Sequence, residues 1–91
     1  MQEINKITEL IINKLADEVN DPSDKAFAKK IGITISDLNT SIKVLRLYEI
    51  AEIEWTPRQR TLKRMRNFNS VFLAGGLGKY LELINLEQKV V

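Results

Sequence analysis

A chain of 91 residues, 44% hydrophobic and 29% charged, has the composition of one soluble globular domain, with no room for a second core. The absence of cysteine and histidine excludes disulfides, thiolate nucleophiles, Cys or His metal sites and imidazole acid-base chemistry. The net charge of +2 conceals an asymmetry: up to Glu54 seven Lys and Arg face ten Asp and Glu, whereas from Trp55 onward seven face two.

From Gln2 onward, Ile4, Ile7, Ile11, Leu15 and Val19 recur at helical spacing, widened by Leu10, Ile12 and Ala16, which predicts an amphipathic helix over 2–19. Its stripe is wide enough for one edge to face a second chain, or for all of it to cover the core. Asn20-Asp21-Pro22-Ser23-Asp24 then closes this helix and opens the next. Proline suits a first helical turn, Asp21 is the expected cap, and Asp24 complements the helix dipole. Two or three carboxylates in a cap lack the loop length and ligand number calcium requires, so no metal is expected.

The stretch AFAKKIGITISDLNTSIKVLRLY, Ala26 to Tyr48, reads as two helices, 22–31 and 35–48, joined at Gly32. Phe27 and Ile31 face inward, Ile33 fills the corner, Thr34 caps the second helix with Asp37 completing a capping box, and Leu38, Ile42 and Leu45 form its apolar stripe. The outer side carries Ile35, Ser36, Asn39, Thr40 and Lys43, side chains able to meet base edges in a DNA groove. In Phe27-Ala28-Lys29-Lys30-Ile31-Gly32-Ile33-Thr34, followed by Leu38, Ile42 and Leu45, the chain resembles the helix-turn-helix of winged-helix DNA-binding proteins. That family carries an alanine on the first helix, a glycine turn, an aliphatic residue and a Ser/Thr cap in this order. The resemblance implies a mostly α fold with a small antiparallel β-hairpin, a winged helix-turn-helix with extra N- and C-terminal helices, whose second helix enters the major groove. The chain departs from the family at Glu49, where many members have glycine between recognition helix and strand; the exit is expected to be different or strained.

Ile50 to Trp55 alternates, with Ala51, Ile53 and Trp55 on one side and Glu52 and Glu54 on the other, as one strand of a hairpin expected over 50–73. Glu52 and Glu54 read as a solvated strand face and not as an acid-base pair, so no enzymatic activity is expected. Trp55 is expected half-buried against the sheet, with base stacking as the alternative. Thr56 to Arg66 follows, with Arg58, Arg60, Lys63, Arg64 and Arg66 and no acid among them. As a wing, these five would follow the phosphate backbone. The alternative is that Thr56-Pro57 begins a basic helix with Leu62, Met65 and Phe68 on one face.

Val71-Phe72-Leu73 reads as the returning strand, and Gly75-Gly76-Leu77-Gly78-Lys79 as the turn into a last helix over 77–88; the glycines lack the spacing of a phosphate-binding loop. Leu77, Tyr80, Leu81 and Ile84 form the stripe of that helix, with Leu83, Leu86 and Val90 widening it. This end is weakly similar to small stand-alone winged-helix proteins of Gram-positive bacteria and their phages. Wide stripes on the first and last helices are what a homodimer joined through them would show. No apolar run approaches the ~20 residues that span a bilayer. The expectation is a cytoplasmic, cofactor-free, dimeric transcriptional regulator that binds double-stranded DNA without membrane contact. Ser36, Asn39, Thr40 and Lys43 would lie on bases, and Arg58, Arg60, Lys63, Arg64 and Arg66 on phosphates. The alternative is a protein-protein interaction module on the same fold.

Overall fold

In the computed structural model, which describes the backbone of residues 2–90 and the side chains of residues 6–85, the elements are α1 (Gln2–Leu15), α2 (Asp24–Ile31), α3 (Ile35–Leu47), β1 (Ala51–Trp55), β2 (Arg60–Arg64), α4 (Phe68–Leu73) and α5 (Leu77–Val90). The fold is mostly helical with a small antiparallel hairpin, as expected. No described helix is long and apolar enough to cross a membrane. Ile11, Ile12 and Leu15 of α1 meet Phe27 and Ala28 of α2 and Leu38, Ile42 and Leu45 of α3; Ile50, Ala51, Leu62, Phe68, Val71 and Leu77 complete the core.

The first helix stops at Leu15, four residues short of the expected end, and Val19 is 90% exposed. The chain tightens there through Asp17 N–H to the Lys14 carbonyl and Glu18 N–H to the Leu15 carbonyl. The guanidinium of Arg64 then donates to the Leu15 carbonyl at 3.2 Å and the Glu18 carbonyl at 2.7 Å. The Glu18 carbonyl, and the Leu15 carbonyl that already accepts from Glu18 N–H, are thus held from β2. A partner 49 residues away fixes this end, and no local pattern discloses it.

Ser23, not Asp21, caps α2: its Oγ accepts from Ala26 N–H at 3.2 Å. The start moves to Asp24 because the Pro22 carbonyl accepts from Leu62 N–H at 2.8 Å and Ser23 bridges Thr61, which holds this segment extended beside β2. The second helix of the pair begins as expected, with Thr34 Oγ1 accepting from Asp37 N–H at 3.0 Å.

Both α2 and α3 end in the same closure. At Gly32 (φ 79°), its N–H reaches the Lys29 carbonyl and Ile33 N–H the Ala28 carbonyl. At Glu49 (φ 57°), its N–H reaches the Arg46 carbonyl and Ile50 N–H the Leu45 carbonyl, with Leu45 and Ile50 both fully buried. This paired pattern is the Schellman motif, and it requires a left-handed residue. A glutamate occupies the conformation that glycine adopts freely, so the exit from α3 is strained, as its sequence implied.

The hairpin is shorter than expected. It spans Ala51 to Arg64, with Ala51 opposite Arg64, Ile53 opposite Leu62 and Trp55 opposite Arg60. Thr56 closes the turn: its N–H and Oγ1 donate to the Gln59 carbonyl, and its Oγ1 accepts from Gln59 N–H. That use of Thr56 excludes the basic helix. Residues 71–73, read as the returning strand, lie in α4, where Phe68 and Val71 are buried one turn apart and Phe68 stacks on Phe72 at 6.5 Å. Three apolar residues fit either period, and in the fold it is β2 that pairs with β1.

At the last turn, the Glu9 carboxylate accepts from Leu77 N–H at 2.7 Å and caps α5 from α1. Gly76 (φ 124°) permits this, because a Cβ there would overlap the Glu9 carboxylate. The glycine-rich step is therefore a helix-helix turn that already holds an anion.

Candidate nucleic-acid interface

The closure at Gly32 sets α3 across α2 and turns one face of α3 outward. Ser36, Thr40 and Lys43 are exposed on that face, Asn39 is half-buried, and Ile35 packs against the core. Thr40 Oγ1 donates to the Ser36 carbonyl at 3.0 Å, which ties its hydroxyl to its own helix. Arg46 is exposed one turn beyond Lys43 and extends the cationic edge of the helix. Arg46 was not among the expected site residues, although its spacing from Lys43 places it on the same edge.

The five cations of residues 58–66 part company in the fold. Arg60 Nη2 donates to Asn39 Oδ1 at 3.2 Å, its Nε lies 3.3 Å from Asp24 Oδ2, and its guanidinium carbon sits 4.5 Å from the centre of the Trp55 ring. The Nε contact with Asp24 is an ion pair without hydrogen-bond alignment. Arg64 closes α1 and lies over the Phe68 ring at 5.6 Å. Arg66 pairs with Glu49, its Nε donating to Oε2 at 2.8 Å. Lys63 stands 3.9 Å from Glu54 in an exposed pair of the kind worth little. Arg58, on the turn, has no ion-pair partner among the described residues.

Arg60 and Arg64 therefore hold the hairpin to the helices and are not free to lie on phosphate. The cations left exposed near α3 and on the hairpin are Lys43 and Arg46 on α3, and Arg58 and Lys63 on the hairpin. A groove of about 360 Å³ runs between α3 and the hairpin, lined by Asn39, Ile42, Lys43, Arg46, Glu52, Ile53, Trp55 and Arg60. Beside the turn, Lys25 and Arg58 border a recess of about 290 Å³ with Ser23, Asp24, Gln59 and Arg60. Lys25, also missed from the sequence, comes to this edge because Pro22 and Ser23 are bound to β2.

Trp55 is 72% exposed, not half-buried as expected. It lies at the end of β1, past the part of the hairpin that covers the core. Among known proteins, no family model, no curated protein and no solved structure matches this chain.

Proposed function

We propose that this chain is a winged helix-turn-helix protein that binds double-stranded DNA, with α3 in the major groove and the hairpin along the phosphate backbone, as a cytoplasmic transcriptional regulator. The observation that carries the reading is the bond between Arg60 and Asn39: it fixes the hairpin to α3 beside the exposed Lys43 and Arg46, with Arg58 exposed at the hairpin turn. Ser36, Thr40 and Lys43 reach bases, and Asn39 presents whichever of its groups Arg60 leaves open. Pairing of two copies through α1 and α5 would present two such helices to a two-fold site. Leu83, 50% exposed on α5, is a surface for that pairing; Leu86 and Val90 lie outside the described side chains.

A labelled random-sequence duplex titrated with the protein at two or more salt concentrations tests the reading by fluorescence anisotropy. Three phosphate contacts correspond to a log-log salt slope of roughly −2.7. Absence of binding at low salt would reject DNA as the partner. It would favour the second reading, a protein-interaction module, which rests on Leu47, Phe72 and Leu73 standing exposed on α3 and α4.

A further inference from the structure

The chain has one tryptophan, and the fold leaves it in the open. An indole is among the costliest side chains to leave in water. This one is nevertheless held in place: the Arg60 guanidinium covers one face, and Asn39 and the buried Asp24 carboxylate fix that guanidinium. An indole that is mostly exposed with one face covered offers its other face and rim. It stands on the groove that Lys43 and Arg46 also line, so a flat apolar surface and two cations share one concavity.

Resting on the nucleic-acid reading above, we propose that Trp55 is a stacking platform for an unpaired base, and that the target of this protein joins a duplex to a bulged, flipped or single-stranded nucleotide. Bases inside an intact duplex are stacked on both faces and offer an indole nothing; an extruded base has a free π-face. Lys43 and Arg46 take the phosphates flanking that base. Glu52, in the same groove, repels phosphate from its own side and directs the backbone toward α3. Arg60 acts through Trp55: it sets the plane of the ring and does not touch the nucleotide.

The sole tryptophan is its own reporter. Indole emission is followed while the protein is titrated with a blunt duplex, the same duplex carrying a central thymine bulge, and an oligothymidylate; anisotropy of a label on each DNA is read in parallel. Quenching by the bulged duplex and the oligothymidylate but not by the blunt duplex is expected, with the bulged duplex bound about tenfold more tightly than the blunt one. Trp55→Tyr keeps that preference. Trp55→Ala binds both duplexes at the blunt-duplex level. Equal affinity for the two duplexes with unchanged emission overturns the platform and leaves the duplex reading standing. Unchanged anisotropy with every DNA removes both.

Discussion

Arg60 and Asn39 meet at 3.2 Å across the angle between the hairpin and α3, and the same guanidinium reaches Asp24 at the start of α2. One side chain thus references three elements to each other. Arg60→Ala leaves the buried Asp24 carboxylate without its cation, with only Lys25 N–H donating to it, and is expected to cost about 2 kcal/mol of folding stability. In urea this reads as a lower midpoint at unchanged slope. Asp24→Asn in the Arg60→Ala background should recover part of the loss, because the buried charge is then gone.

Arg64 and Arg58 separate stability from binding. Arg64→Ala removes the donors to the Leu15 and Glu18 carbonyls, and a loss of about 2 kcal/mol is expected, with faster amide exchange over residues 16–18. Arg58→Ala is expected to leave the melting temperature unchanged and to make the salt slope of DNA binding shallower by about 0.9. A slope that moves with Arg64 and not with Arg58 would reverse these two assignments.

Glu49 occupies a glycine conformation at the end of α3. Glu49→Gly removes the left-handed strain and loses only the exposed pair with Arg66, whereas Glu49→Ala loses the pair and keeps the strain. The glycine variant is expected to be more stable than the alanine variant by about 1 kcal/mol, measured by thermal or urea unfolding.

Gly76→Ala places a methyl group on the Glu9 carboxylate. A loss above about 2 kcal/mol is expected, together with increased exchange at the first turn of α5, since the cap must move away. Glu9→Gln keeps an acceptor for Leu77 N–H and forgoes the charge at the helix terminus, so its cost should stay near ~1 kcal/mol.

The pair of helices around Gly32 was legible because its determinants are local: the glycine, the Thr34 cap and the stripe of Leu38, Ile42 and Leu45 lie within one short stretch. The hairpin was legible only in its first strand. In β2 Leu62 is the one fully buried side chain, so periodicity offered little there, while the apolar Val71-Phe72-Leu73 suggested a strand that hydrogen bonding did not make. The basic segment was read as free because no acid interrupts it. Its partners come from Glu49, 17 residues before Arg66, from Asn39, 21 before Arg60, and from a carbonyl 49 before Arg64. Tertiary pairing of this kind has no period to detect. Trp55 was misplaced for a related reason: its strand outruns the core it was expected to cover.

The carboxylate of Glu9 at the first turn of α5 also closes that helix start to any other anion. A helix start is ordinarily a place where phosphate can settle. Here the chain has supplied its own occupant, so an incoming strand must either expel an acid that is hydrogen-bonded in place or bind elsewhere. On the DNA reading proposed above, this end of α5 is closed to phosphate, and the exposed Lys43 and Arg46 of α3 and Arg58 of the hairpin turn are left to meet it.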